Sequence, residues 1–532
     1  MRFARIFVLF CFSLNVFSQS NNRITWGKLE KSDGIPIKTV LAEGQNLLLI
    51  YTIPSIFPSR RKLVVREIES LSTLLEKSFY LQGNGKNITS SAVIYLDKSL
   101  ISIGTKTSNL SKRTEVFTHV FDPKNQENTF IGSLIVSYLN LAVPSKFKKV
   151  VAIGSSDNSN VALFYSIPVK PTEFVGFGYL LYNQVNGKYA QNIVQLPFLQ
   201  NELEFSDFYT SAFGDFYLTA KEFNATNNAA ALSEENRSFS KIHLFKANEV
   251  GFTELQINEE NFYVRDIKIL QDSENTFVST GFYAEDILGR VPGHFYVVFD
   301  KIANKVILRK KQLFGAEFLS SGQAIWDQSW RQRNRGSNQG QNDLSNFKLL
   351  DFLPLRDGGF LAIAESQQVI LVAKNSGSPQ NPKTTYVNEY HYNDLIVYKL
   401  DSLGDMEWVQ RVPKNQVSTE DSKKYLSVTC ALAQNYLHIF YNDNSKNYSA
   451  NGDFVDREFQ KPMLFISGSN VIAHLQIELQ QGNISRKAMP GLSENRVVLV
   501  PKICAFNELT EEMIFFGHHL TKQRLGSMKI GN

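Results

Sequence analysis

Two runs decide the fold: Phe347–Ser366, FKLLDFLPLRDGGFLAIAES, and Tyr390–Val412, YHYNDLIVYKLDSLGDMEWVQRV. The apolar runs Leu349–Leu355 and Phe360–Glu365 flank Arg356-Asp357-Gly358-Gly359. An Asp-Gly-Gly turn between such runs signals a hairpin, because glycine adopts positive φ without a Cβ clash. Leu395–Leu400 and Met406–Arg411 likewise flank the polar turn Asp401-Ser402-Leu403-Gly404-Asp405. Two successive hairpins make one four-stranded antiparallel unit.

Weaker copies of this unit run along the chain, with Phe130–Tyr138 expected as the last strand of unit two, Met463–Ser467 and Ala473–Leu479 as the third and fourth of unit seven, and Val497–Ala505 as the first of unit eight. The first turns of the units fall near residues 44, 98, 157, 214, 274, 358, 434 and 508. The later spacings are longer, and two inserts, 316–345 and 373–390, account for much of the excess. Regular four-stranded units that cannot bury their faces alone are the signature of a β-propeller. The composition agrees: forty Phe and twenty-one Tyr against four Trp and six Met favour strands. The expected fold is all-β, a single propeller of eight four-stranded blades, with seven as the alternative count. The eighth unit lacks a strand, and Arg23–Leu29 (RITWGKL) is a strand without a neighbour in sequence. Its pairing with Gly526–Ile530 would close the ring and remove an open edge.

The first 18 residues stand apart as an expected signal peptide. Arg2 and Arg5 supply the positive region, Ile6–Leu14 the apolar one, and Val16-Phe17-Ser18 the exit, with cleavage expected before Gln19. Residues 19–532 then form the propeller. No stretch is long enough for a transmembrane helix. A formal charge of +5, lowered by two when the leader leaves, gives no basis for a nucleic-acid partner.

The residues that carry the resemblance are Asp357, Gly358, Gly359, Phe360, Asp394, Lys399, Leu400, Asp401, Gly404 and Trp408. Their pattern, DGGF followed by KLDSxGxxxW, resembles the repeats of secreted propellers of the Bacteroidota. That resemblance covers one unit closely and implies fold and lineage. Proteins of that lineage work around outer-membrane, gliding, adhesion and type 9 secretion machinery. The implied location is the periplasm or the outer membrane, with the cell surface open. The chain ends on a propeller strand rather than a separate sorting domain, which favours a periplasmic component or one carried out by a partner.

Catalytic patterns are not seen. There is no Gly-x-Ser-x-Gly elbow, His-Glu-x-x-His, phosphate loop or dinucleotide fingerprint. Ser155–Ser159 reads as a turn rather than a sialidase-type Asp-box. His518 and His519 are adjacent on a strand and point to opposite faces, so they do not jointly chelate. Asn442–Asn447 offers oxygens for calcium but lacks an acidic twelfth ligand, and loop chemistry explains it better. Neither metal nor cofactor is expected. Cys430 and Cys504 lie on first strands of consecutive repeats, where a disulfide and two buried thiols are both open readings.

The most distinctive segment is the first insert. Phe318, Leu319, Ile325, Trp326 and Trp330 suggest a short amphipathic helix, followed by Arg331, Arg333 and Arg335 in a Gly/Asn/Gln-rich loop. Trp and Arg dominate binding hot spots. The expectation is therefore a non-enzymatic scaffold of the bacterial envelope that binds a protein partner, an outer-membrane protein, through these residues. The alternative is a glycan-binding or carbohydrate-active propeller with a carboxylate and aromatic pocket at the central channel. Three or more carboxylates gathered at one mouth of the channel would favour the alternative.

Overall fold

The structure is a computed structural model. It describes residues 23–530 except for internal stretches, the longest being 53–59, 122–128, 140–149, 224–239, 322–343, 464–469 and 490–496. The expected leader lies outside the described residues, as do Trp326, Trp330, Arg331, Arg333 and Arg335.

Among the described residues the strands fall into eight antiparallel sheets, each a meander of neighbours in sequence with few exceptions. Sheet six is the unit read first from the sequence: Phe347–Pro354, Phe360–Ser378, Asn381–Leu400 and Met406–Val412 in that order. Its motif residues fasten it internally and to its neighbours. The Asp357 carboxylate accepts the Gly359 N–H at 2.9 Å and pairs with Lys399 Nζ at 2.7 Å. Gly404 has φ +82°, and a Cβ there would lie 2.1 Å from the Tyr296 ring of sheet five. The Trp408 indole donates to the Leu479 carbonyl of sheet seven at 3.0 Å.

The sheets stack because their middle strands are apolar on both faces. In sheet three Asn160–Val161–Ala162–Leu163–Phe164–Tyr165–Ser166 is buried without a break. No single sheet can cover such a strand, so each must bury both faces against neighbours. Leu63, Phe79 and Phe117 join sheets one and two, and Ile103, Val116 and Tyr165 join two and three. Phe177, Phe205 and Phe216 join three and four, and Tyr217, Phe277 and Phe299 join four and five. Tyr296, Phe352 and Tyr398 join five and six, Ile363, Ile439 and Tyr441 six and seven, and Phe440, Leu499 and Phe515 seven and eight. Leu49, Val64, Ile514 and Phe516 then join sheet eight to sheet one. Each fully buried side chain of this kind contributes about 1.5–3 kcal/mol.

The two ends of the chain pair. Thr25 lies opposite Ser527 and Trp26 opposite Gly526, and Glu30–Lys31 extends along the same strand, Lys522–Lys529. Trp26 packs near Phe515 with ring centres 6.5 Å apart. Gly526 is required there, since a Cβ would lie 2.6 Å from Ile24 and 2.8 Å from Trp26.

Three sequence expectations are corrected, and the second insert is placed. Of the run Met463–Ser467, expected as the third strand of unit seven, only Met463 is among the described residues. Asn470–Glu478 and Ile484–Ala488 are that unit's third and fourth strands, and Met463 makes only an isolated bridge to Gln416. The first strand of unit eight is broken, because Pro501 starts a 3-10 turn, Pro501–Ile503, between Val498–Leu499 and Ala505–Asn507. Phe130–Tyr138 divides: Thr129–Ile131 pairs parallel with Tyr80–Gln82 of sheet one, and Ser133–Leu139 completes sheet two. The second insert, 373–390, forms the far part of one long hairpin, with Ser378 opposite Asn381.

Sheets six and seven are further tied by buried charge. Glu365 and Lys414 are fully buried, with Oε1 and Nζ 2.8 Å apart. Glu365 Oε2 accepts from Ser427 Oγ at 2.8 Å, and Lys414 donates to the Tyr392 carbonyl and Gln416 Oε1. Burial pushes the Lys414 ammonium down from its ordinary range, opposed by the Glu365 charge. A buried pair of this kind costs most when only one partner is removed. Lys414→Met is expected to lose about 3–5 kcal/mol in urea unfolding, and the double variant Glu365→Leu/Lys414→Met much less. A loss in the double variant equal to the sum of the Glu365→Leu and Lys414→Met losses would show that the pair is not coupled. Trp26→Ala is expected to cost about 2 kcal/mol and to speed amide exchange along 522–529 ahead of the other sheets.

Candidate functional site

The first strands of five sheets carry a one-residue irregularity, at Pro36/Lys38, Ser90/Ala92, Phe205/Phe208, Val264/Asp266 and Leu349/Asp351, and in the adjacent sheets four, five and six it comes with one sequence pattern. In sheet four Phe205 lies opposite Ala220 and Phe208 opposite Leu218, so Ser206 and Asp207 share one partner, Thr219. In sheet five Val264 lies opposite Tyr283 and Asp266 opposite Phe282, leaving Arg265 extra. In sheet six Leu349 lies opposite Ala364 and Asp351 opposite Ile363, leaving Leu350 extra. Each is a β-bulge, a device that bends the strand and re-aims a side chain. The three sequences are Phe205-Ser206-Asp207-Phe208, Val264-Arg265-Asp266-Ile267 and Leu349-Leu350-Asp351-Phe352. An apolar residue, any residue, aspartate, then an apolar residue: the aspartate holds one position in three adjacent sheets.

The flanking side chains explain why these aspartates are left open. Phe205, Val264, Leu349, Ile267 and Phe352 are buried between the sheets, whereas Asp207 and Asp351 are exposed and Asp266 is half-buried. Hydrogen bonds hold the bulges. Ser206 Oγ and Thr219 Oγ1 are 2.8 Å apart, and the Asp207 N–H donates to Thr219 Oγ1 at 3.0 Å. Asp266 Oδ2 accepts the Leu349 N–H at 2.6 Å, crossing from sheet five to the first strand of sheet six, and Oδ1 accepts the Ile267 N–H at 3.1 Å. Asp351 Oδ1 accepts the Phe352 N–H at 2.9 Å. Gly281 makes room for the central bulge, since a Cβ there would lie 1.9 Å from the Asp266 carbonyl oxygen.

One cation, Lys268, is shared by all three aspartates, and Lys221 also acts on Asp266. Lys268 Nζ stands 4.0 Å from Asp207 Oδ1, and its charge also acts on Asp266 and Asp351. Burial raises the Asp266 carboxyl to about 6; the Leu349 N–H opposes this, the Asp207 charge adds to it, and Lys221 and Lys268 oppose it. Burial also raises Asp351, opposed by the Phe352 N–H and Lys268. The array therefore offers one carboxylate acceptor, Asp207, beside two carboxyls that hold their protons above the ordinary carboxylate range, Asp266 up to about 6, a combination that acid–base chemistry on hydroxyls and ethers can use.

The other candidates are accounted for differently. Of the first insert, helix α1 (Ala316–Ser321) is described. Phe318 lies 5.2 Å from Phe314, and with Leu319 it packs on the core between sheets five and six. Cys430 and Cys504 are free thiols. Cys430 lies opposite Ile439 within sheet seven, whereas Cys504 ends the 3-10 turn and its thiol donates to the Val500 carbonyl at 3.5 Å. The two therefore do not occupy equivalent strand positions. Burial pushes both thiols up, that of Cys504 to about 12. Asn442 and Asp443 are buried and spent on the protein itself. Asn442 bridges the Tyr425 and Leu499 carbonyls, and Asp443 pairs with Arg486 and accepts from Tyr448 at 2.8 Å. His518 is buried with Nδ1 3.0 Å from the Tyr425 hydroxyl, and burial pushes its imidazole down to about 4. Among the described residues no group of three or more His, Cys, Asp or Glu could hold a metal ion.

No protein-family model matches the chain, and no curated protein matches it. Solved structures do. Prolyl oligopeptidase B from Galerina marginata is 10% identical with a TM-score of 0.39, over 93% of this chain and 56% of that one. This chain thus spans about half of that protein's length. The polysaccharide lyase Uly1 is 8% identical with a TM-score of 0.41, over 97% and 94%. The β-propeller domain of the Trilobed protease from Pyrococcus furiosus is 9% identical with a TM-score of 0.25, over 72% and 94%. The fold is all-β and propeller-like. The expectation that the chain is not an enzyme is withdrawn, because the first two of these structures are enzymes by name. At such identities and TM-scores they assign no activity to this chain.

Asp266 gives a pH signature. Its proton is held more tightly in the fold than in the unfolded chain, so the associated stability is fully present below about pH 4 and is lost as pH rises through about 6. Asp266→Asn keeps an acceptor for the Leu349 N–H and carries no charge at any pH. Relative to wild type it should gain about 2 kcal/mol between pH 4 and pH 7.5 in urea unfolding, discounting for partial exposure. Parallel pH profiles of the two proteins would show that the carboxyl is unperturbed.

Proposed function

We propose that the eight sheets form one closed eight-bladed propeller, its last sheet completed by the N-terminal strand. We propose further that the protein is a glycan-binding, carbohydrate-active propeller. In a propeller the blades surround a central channel, and their first strands line it. The observation that carries the reading is the recurrence of aspartate at one bulge position in the first strands of three adjacent sheets, with Lys268 among them. Carboxylates at fixed spacing on rigid strands accept hydrogen bonds from successive sugar hydroxyls. Asp207 and Asp351 are the acceptors, and Asp266 is the group able to donate a proton to a glycosidic oxygen.

This reading takes precedence over the protein scaffold expected from the Trp–Arg insert, because it rests on residues whose geometry is described. The leader, the Bacteroidota-type repeat and an envelope location remain compatible with a propeller that meets glycans outside the cytoplasm.

The test uses residues 19–532 against panels of neutral and uronic oligosaccharides, with calorimetry for binding and reducing-end or unsaturated-product assays for cleavage. Asp207→Ala and Asp351→Ala should each weaken binding about tenfold, the effect of losing one or two charge-assisted hydrogen bonds. Asp266→Asn should retain binding while losing any turnover. Unchanged binding in an Asp207/Asp266/Asp351 triple alanine variant, or no binding by wild type at all, would overturn the proposal.

A further inference from the structure

A concave site that includes none of the array's aspartates lies on the face of sheet seven that meets sheet eight. It is a groove of about 620 Å³, within the range of small-ligand sites. Its floor is built by register. Tyr436 lies opposite Glu478, His438 opposite Gln476, and Gln476 opposite Ser485, so these side chains share one face across three strands. The other face, with Leu437, Ile439, Leu475 and Ile477, is consumed in the core against sheet six. Ile530, just beyond the last strand of sheet eight, forms the opposing wall.

We propose that this groove binds a neutral oligosaccharide, with Tyr436 as the stacking platform and Gln476, Asn483 and Ser485 as the hydroxyl-recognising groups. Tyr436 is 39% exposed at the rim, available to the apolar face of a sugar ring. The lining contains several primary amides, which both donate and accept, as vicinal hydroxyls require. It contains no lysine or arginine to balance an anion.

The remaining lining groups are held in place and add no positive charge. Glu478 accepts the N–H groups of Gln480 at 3.0 Å and Gln481 at 2.9 Å, and Asn483 donates to Gln481 Oε1 at 3.0 Å. The turn that forms one end of the groove is thereby fixed. His438 Nδ1 and His474 Nε2 are 3.0 Å apart, and His474 stacks on Phe440 with ring centres at 4.5 Å. Burial pushes His438 down to about 4 and His474 to about 3, the latter also by the charge of its neighbour, so neither imidazole brings positive charge to the groove under ordinary conditions.

The inference stands apart from the channel reading and is tested separately. The full chain from Gln19 is titrated with neutral hexasaccharides of glucose, xylose and mannose, followed by calorimetry and saturation-transfer NMR. Tyr436→Ala and Gln476→Ala, each first shown to unfold like wild type, should weaken one binding component by about tenfold. That component should be unchanged in the Asp207/Asp266/Asp351 triple variant. Binding that survives both groove substitutions, binding lost wholly in the triple variant, or no binding by any of the three probes would overturn the groove proposal. The channel proposal would then stand or fall on its own titration.

Discussion

Strands that are apolar on both faces impose the constraint on which this molecule depends. Phe360–Ala364 in sheet six and Leu437–Tyr441 in sheet seven have no solvent side, so neither sheet persists without a neighbour on each flank. The need passes from sheet to sheet until sheet eight covers sheet one through Ile514, Phe516, Leu49 and Val64. Pairing of Thr25–Trp26 with Gly526–Ser527 follows from the same need at the edge of the array, where an uncovered strand would otherwise expose its N–H and C=O groups.

That constraint also sorts the charges. Between sheets six, seven and eight the buried acids each have a cation or a donor: Glu365 has Lys414, Asp394 has Arg411, and Asp443 has Arg486. These pairs lie among stacked faces and carry no spare valence for a ligand. In sheets four to six the aspartates sit instead at bulges of the first strands. There the packed faces are supplied by the residues before and after, and the carboxyl oxygens meet backbone N–H groups and one shared lysine. Chemistry is available at that position because packing does not use it.

Much of the architecture was legible in the sequence because its signals are local. Asp357-Gly358-Gly359 and Asp401 to Gly404 mark turns that need positive φ or close approach, and the apolar runs beside them give the outer strands Phe347–Pro354 and Met406–Val412 within two residues and the turn-side ends of the two inner strands. Reading failed where the decisive fact was non-local. Met463–Ser467 has strand-like residues, yet Asn470–Glu478 takes the place beside Tyr436–Asn444, since that register sets Ala473, Leu475 and Ile477 against the core of sheet six. Residues 373–390 read as an insert because much of that stretch is polar, and only the continuous pairing of Gln367–Ser378 with Asn381–Tyr392 shows it to be the far part of a hairpin.

The aspartate array was visible in the letters and passed over. FSDF, VRDI and LLDF stand at matching points of three units, but a strand-period reading treats the aspartate as an ordinary outward residue. What distinguishes it is the extra residue before it, and an extra residue is recognisable only against the partner strand's register. Gly281 completes the case. A glycine within a strand reads as weak β-propensity, whereas here its missing Cβ is the space into which the bulged Asp266 backbone fits. The same glycine therefore permits both the bend of the strand and the hydrogen bond from Leu349 that holds the Asp266 carboxyl across two sheets.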